Sequence, residues 1–104
     1  MYLVVFRNRK RVRIDHCAYE EQAARMEALA RTQPGFLSFK GYTADDGEVV
    51  ALSEWSDEVA ERAWGRQAEH LLAQKDGRAH WYASYTLFGC ADPRIHTFTA
   101  EDET

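Results

Sequence analysis

The sequence predicts an α+β fold of the ferredoxin-like type, a four-stranded antiparallel sheet with helices on one face. Strand and helix patterns alternate in the order β-α-β-β-α-β, which defines this arrangement. A hairpin signal joins the second and third strands, so these neighbours are expected to run antiparallel. The length of 104 residues fits one domain with a modest core.

The first strand and the first helix occupy the first third of the chain. Residues 2–9 have the pattern of a strand. Asp15 is the expected N-cap of a helix that ends at about Thr32, because Pro34-Gly35 prevents its continuation. One face of this helix is mostly apolar, and its residues recur at three- and four-residue intervals: Tyr19, Gln22, Ala23, Met26, Leu29 and Ala30.

The remaining strands follow from alternation and turn signals. The second strand is predicted over residues 36–42 and the third over residues 49–55. Asp45-Asp46-Gly47 supplies the tight turn between them. The last strand is predicted over residues 85–90, where Asp92-Pro93 ends it.

The second helical region is expected in two parts. Ser56 is the predicted N-cap of a helix that continues through Trp64, and Gly65 kinks or interrupts it. A further helix is predicted over residues 68–83.

Apolar residues occupy both faces of the predicted sheet. In the first strand Tyr2, Val4 and Phe6 alternate with Leu3 and Val5. Two helices cover only one face, and an open antiparallel sheet with one wet face should alternate apolar and polar residues. The second face therefore needs a cover. The sequence predicts a homodimer in which two copies bury this face against each other.

Charge and composition narrow the class of protein. The formal net charge of −4 argues against a nucleic-acid partner or a membrane surface. No apolar run approaches the roughly 20 residues that span a bilayer, and no signal-peptide pattern is present, so a cytoplasmic protein is expected. Cys17 and Cys90 are expected to be reduced thiols. Residues 1–98 are predicted to form the domain and residues 99–104 a polar tail.

The stretch from Trp55 to Tyr85 is rich in aromatic and imidazole side chains, with three tryptophans, two tyrosines and two histidines. Such a density either builds a thick core or lines a pocket for a flat organic molecule. Trp64 is compatible with both interpretations, a core residue or a pocket wall. His70 fits a catalytic base or a group that satisfies a helix terminus, and Tyr82 fits a pocket wall or a packing residue.

Three segments of the chain are similar to one known family. They are A-A-R-M-E-A-L-A-R-T-Q-P-G-F-L-S-F at 23–39, S-E-W-S-D-E-V-A-E-R-A-W at 53–64, and A-E-H-L-L-A-Q-K-D-G-R-A-H-W-Y-A-S-Y at 68–85. With their W-x8-W-x5-H-x3-Q-x6-W-Y-x2-Y spacing, they resemble the antibiotic biosynthesis monooxygenases of the dimeric α/β-barrel superfamily. The resemblance implies a cofactor-independent monooxygenase that oxidises a planar phenolic or quinol-type compound with dioxygen, bound between helices and sheet.

Cofactor-independent oxygenation requires an electron-rich phenolate or enolate that meets dioxygen in a shielded pocket. His70 is the candidate base, because an imidazole titrates near neutral pH. Asn8 and Arg7 are the candidates that stabilise the anion. The predicted substrate-binding side chains are Phe6, Trp64, Gln74, Trp81 and Tyr82. If residues 68–83 form one helix, His70, Gln74 and Trp81 share one of its faces.

Two other functions stay open. A neighbouring branch of the superfamily degrades haem with an Asn on the first strand, a Trp on the second helix and an axial His. Asn8 and Trp64 match that pattern. Ala73 and Gln74 stand where the axial His is expected, and His70 would reach the pocket only if the helix breaks. A non-catalytic binder of a small aromatic ligand needs the pocket but no base. No His or Cys spacing indicates a metal site.

Overall fold

The computed structural model describes residues 1–103 and contains the predicted order of elements. One antiparallel sheet has the strand order β2-β3-β1-β4. Its strands are β1 (Tyr2–Lys10), β2 (Phe36–Thr43), β3 (Val49–Trp55) and β4 (Tyr82–Ala91). The helices are α1 (His16–Arg31), α2 (Glu58–Gly65) and α3 (Ala68–Asp76), followed by a π-helical turn (Gly77–Trp81) and a terminal 3-10 turn (Glu101–Glu103). The ferredoxin-like prediction is confirmed.

The helix cap at Asp15 and the turns at Gly35 and Gly47 lie where the sequence predicts them. The Asp15 carboxylate accepts a hydrogen bond from the Ala18 amide at 3.0 Å and caps α1 as predicted. Gly35 and Gly47 have φ values of 81° and 90°, which residues other than glycine rarely adopt. Gly35 has a second constraint, because a Cβ there would lie 2.5 Å from the Ala60 Cβ.

The N-cap of α2 is Asp57, and the prediction of Ser56 is wrong. The Asp57 carboxylate accepts from the Ala60 amide at 2.8 Å. The Ser56 amide instead donates to the Gly35 carbonyl at 2.7 Å. This bond ties Ser56 to the loop after α1, so the helix begins one residue later.

The predicted helix over residues 68–83 is wrong in its second half. The chain leaves α3 through the π-helical turn, and Tyr82 already begins β4. Gly77 lies against the Tyr82 ring, where a Cβ would come within 2.6 Å of a ring carbon. The Arg11 side chain donates to the carbonyls of Arg78 at 2.8 Å and Tyr82 at 3.1 Å. Tertiary packing and pairing with β1 therefore end the helix.

The buried core is small and lies at one end of the layer between helices and sheet. It consists of Val4, Ala30 and Trp55, of which Trp55 is 1% exposed. The partly buried side chains packed against it are Tyr2, Phe36, Ala60 and Trp64. This cluster joins the ends of α1 and β3 to the start of β1, and its three core residues also line the cavity that lies between helices and sheet.

The face of the sheet opposite the helices carries an apolar row across three of its strands, β3, β1 and β4. The strand register places Val5 directly opposite Leu52 on β3 and Phe88 on β4. Phe88 is 44% exposed. The chain exposes 7591 Å², whereas a compact monomer of 12.0 kDa exposes about 6,000 Å². No helix within residues 1–103 is long and apolar enough to cross a bilayer.

Candidate active site

A cavity of about 510 Å³ lies between the helices and the sheet. Seven of the eight predicted site residues line it: Phe6, Asn8, Trp64, His70, Gln74, Trp81 and Tyr82. Pockets that bind organic ligands commonly measure about 300–1,000 Å³ and are mostly apolar with a few polar groups. The structure thus brings these seven side chains around one space of suitable size, and their roles stay predictions.

Arg7 is the predicted site residue that lies elsewhere. Successive side chains of a strand point to opposite faces, and Phe6 and Asn8 face the cavity. The Arg7 guanidinium therefore emerges on the other face of the sheet, where it is paired with Glu48 at 3.1 Å. Arg7 therefore does not line the cavity beside Asn8, because adjacent residues of a regular strand do not share a face.

His70 reaches the cavity because the helical chain breaks after Gly65, as the sequence allows. The Gln67 side chain begins α3 by accepting a hydrogen bond from the His70 amide at 3.0 Å. The imidazole lies flat on the Trp64 indole, with ring centroids 4.1 Å apart and planes 14° apart. Its Nδ1 is 3.0 Å from the Trp64 carbonyl oxygen. A carbonyl only accepts, so Nδ1 carries the proton and Nε2 keeps a free lone pair.

Burial sets the protonation state of this imidazole. Desolvation lowers the pKa of His70 below its ordinary 6.5, although the bond to the Trp64 carbonyl acts in the opposite direction. The ring is therefore mostly neutral at pH 7 and able to accept a proton. Gln74 secures the break, since its Nε2 donates to the Gly65 carbonyl at 3.2 Å. That bond uses one of the two N–H groups of the Gln74 amide, so the predicted contact with substrate is left to the second N–H and the side-chain oxygen.

Asn8 supplies a polar group on the sheet side of the cavity. It is only 3% exposed, and its Oδ1 accepts a hydrogen bond from the Lys10 ammonium. Because the oxygen is occupied, the amide NH2 is the part that remains for a ligand. A preorganised amide donor of this kind stabilises a developing oxyanion.

The aromatic walls are fixed by their own contacts. The Trp81 indole N–H donates to the Gln22 Oε1 at 2.8 Å, and the Gln22 Nε2 donates to Asp76 at 2.9 Å. The Phe6 and Tyr82 rings meet edge to face, with centroids 5.3 Å apart. Burial raises the pKa of Tyr82, so its hydroxyl stays protonated at physiological pH.

One wall of the cavity comes from α1 and is missing from the predicted site. Tyr19, Gln22, Ala23 and Met26 line the space, and the sequence predicts the same residues only as the apolar face of the helix. Helical periodicity identifies the inward face but does not tell whether that face meets side chains or an open volume.

In the described residues, neither a cluster of metal ligands nor a thiol lines this cavity. Among residues 1–103, no group of three His, Cys, Asp or Glu side chains is arranged to hold a metal ion. Cys17 and Cys90 are free thiols, and neither lines the cavity.

Comparison with known proteins assigns the family. The model of the antibiotic biosynthesis monooxygenases matches residues 2–76. YqjZ of Bacillus subtilis is 36% identical over 86 residues, which are 83% of this chain and 74% of YqjZ. SnoaB, a cofactor-independent oxygenase from Streptomyces nogalater, is 25% identical with a TM-score of 0.68, covering 96% of this chain and 100% of SnoaB. Rv0793 from Mycobacterium tuberculosis is 17% identical with a TM-score of 0.76, covering 92% and 98%, and shares the fold. The chain belongs to the antibiotic biosynthesis monooxygenase family.

Proposed function

We propose that this protein is a cofactor-independent monooxygenase that oxidises a planar phenolic or quinol-type aromatic compound with dioxygen. The observation that carries the proposal is a neutral imidazole, His70, with a free Nε2 in the wall of a largely apolar cavity that several aromatic rings line. Membership of the family and the likeness to SnoaB, itself a cofactor-independent oxygenase, support the same class of reaction.

In this reaction the substrate supplies the electrons. Loss of a proton from a phenol, or from the activated methylene of an anthrone, gives an anion that reduces dioxygen. For the anthrone, CH2 and O2 become C=O and H2O, so one oxygen atom enters the product and the other leaves as water. His70 Nε2 accepts the proton, the Asn8 amide donates to the oxyanion, and the aromatic walls exclude bulk water.

We propose further that the working form is a homodimer joined through the helix-free sheet face. The support is the apolar row of Val5, Leu52 and Phe88 on that face. A cytoplasmic location and the lack of a nucleic-acid partner stay predictions.

The test is oxygen uptake with a panel of anthrones and hydroquinones, in the presence of a metal chelator. We expect uptake faster than in buffer, with one O2 consumed per ketone formed from an anthrone. Ala23→Trp fills the cavity from α1, whereas Ala28→Trp makes the same change on an exposed position of that helix outside the cavity. Activity lost in Ala23→Trp and kept in Ala28→Trp supports the proposal. Uptake no faster than in buffer across the panel, or an unaffected Ala23→Trp, contradicts it.

Haem degradation is the competing function, and one observation favours it. The break after Gly65 brings His70 to Trp64, and an imidazole whose Nδ1–H meets a carbonyl while Nε2 is free is also a form that ligates iron. Haemin titration separates the two functions. A Soret shift with wild type that is lost in His70→Asn favours haem, while an unchanged spectrum removes it. Tight binding of a flat phenol without oxygen uptake favours a non-catalytic binder.

A further inference from the structure

Lys10 differs from Arg7 and Arg9, the other two cations of β1. Arg7 is paired with Glu48 at 3.1 Å, and Arg9 is paired with Asp46 at 2.8 Å. In the described part of the chain Lys10 has no carboxylate partner. Its ammonium is nevertheless partly buried, so a positive charge sits behind the cavity without a counter-ion.

The surroundings of this ammonium are aromatic and amide groups of the site. Its Nζ lies 4.7 Å from the ring centroid of Tyr19 on α1 and 5.2 Å from that of Tyr82 on β4. These tyrosines are the titratable side chains packed against it. Because burial raises the pKa of Tyr82, that hydroxyl stays neutral and does not cancel the charge. The hydrogen bond of Lys10 goes to the Asn8 Oδ1.

This bond decides which way the Asn8 amide faces. An ammonium has only hydrogens to donate, so it binds the amide oxygen and turns the NH2 group away from itself. Asn8 is buried and lines the cavity, which leaves the cavity as the place where that NH2 group finds a partner. A cation on the oxygen also polarises the amide, which makes its N–H groups stronger donors.

We propose that Lys10 is a positioning residue that makes Asn8 an anion site, so that the cavity prefers a ligand whose oxygen at Asn8 is a phenolate or enolate. The inference rests on the proposed function and specifies the ionisation state in which the substrate is held. The ammonium acts through Asn8 and does not line the cavity itself.

The test measures the ionisation of a phenol bound to the folded protein. Alizarin is the probe, because its phenolate absorbs at longer wavelength than the neutral form. A cation near a bound acid commonly lowers the pKa of that acid by one to three units. Because the Asn8 amide lies between Lys10 and the phenol, we expect a decrease near the lower limit. In wild type, the acid ionisation constant of bound alizarin should be about tenfold larger than that of alizarin in solution. Lys10→Met should abolish this difference.

Two further variants separate charge from shape. Arg9→Met removes the same charge one residue away, on a side chain paired with Asp46, and should leave the shift unchanged. Lys10→Gln still offers a donor to Asn8 without the charge, and should lose the shift even if Lys10→Met folds poorly. An equal shift in wild type and Lys10→Gln overturns the inference but leaves the proposed function standing. An equal loss in Arg9→Met also overturns it. Failure of wild type to bind alizarin or any other flat phenol counts against the proposed function itself.

Discussion

Replacing His70 with asparagine separates the chemical role of this residue from its structural one. The asparagine Nδ2 occupies about the position of the imidazole Nδ1, so the variant still donates to the Trp64 carbonyl, 3.0 Å away in wild type. It has no nitrogen in place of Nε2. We therefore expect the protein to fold and its turnover of phenolic substrate to fall.

The size of both effects follows from the contacts of the ring. A positioned general base contributes about 10²–10⁴-fold, so kcat/KM should fall by that factor, equivalent to about 2.7–5.4 kcal/mol of activation free energy. The variant also loses the stacking of His70 on Trp64 at 4.1 Å. A stacked pair contributes about 0.5–1.5 kcal/mol beyond its buried area, so the free energy of unfolding should drop by about 1 kcal/mol.

The assay is kcat/KM against pH, with denaturant unfolding to confirm the fold. Desolvation keeps the pKa of His70 below 6.5, so wild-type activity should be level above that pH and decline only below it, where the base becomes protonated. In His70→Asn that acid limb should vanish, and the rate should rise with the fraction of substrate already ionised in solution. His96→Asn, at an exposed position, should behave as wild type. An acid limb retained in His70→Asn, or an undiminished kcat/KM, would refute the assignment of His70 as the base.

Three further changes probe the sheet wall, the core and the open face. Asn8→Asp keeps the contact with the neighbouring ammonium but puts a negative charge where the anion should sit, so kcat should fall by about 10²–10³; a kcat within twofold of wild type would contradict the anion site. Trp55→Ala removes a side chain that is 1% exposed, so the free energy of unfolding measured by urea titration should fall by about 3–5 kcal/mol. A fall of less than about 1 kcal/mol would mean that the core around residue 55 closes over the missing ring. Phe88→Asp should convert a dimer to a 12.0 kDa species in sedimentation, while Val12→Asp, 97% exposed, should not; a wild-type protein that already sediments as a monomer would end the dimer proposal.

The features of the fold that were predictable from sequence are those that short-range physics decides. The cap at Asp15, the glycine turns and the order of elements each depend on residues within a few positions of one another. The end of α3 does not. It depends on Gly77 packing against the Tyr82 ring and on β4 pairing with Lys10 of β1, contacts between distant positions that no local propensity encodes.

Residues that line the cavity were more predictable from sequence than the directions of their polar groups. Period-two alternation with Phe6 and Asn8 was sufficient to place Arg7 on the opposite face of the sheet, so its absence from the cavity lining was predictable from sequence. The direction of the Asn8 amide was not predictable, because it is set by where the ammonium of Lys10 comes to lie. The tautomer of His70 likewise requires the position of a backbone carbonyl six residues earlier.

The break between α2 and α3 is what gives the imidazole its chemistry. In one continuous α-helix, residues six apart lie about 120° apart around the axis and about 9 Å apart along it, so the rings of Trp64 and His70 would not stack. After the break the two rings lie 4.1 Å apart. The Trp64 carbonyl accepts from the Gln67 amide at 3.1 Å in the turn between the helices, and its second lone pair holds Nδ1. The Gln67 cap and the Gln74 bond to Gly65 secure the two sides of the break. The orientation of the candidate base therefore comes from interrupted backbone, and the regular elements supply the walls around it.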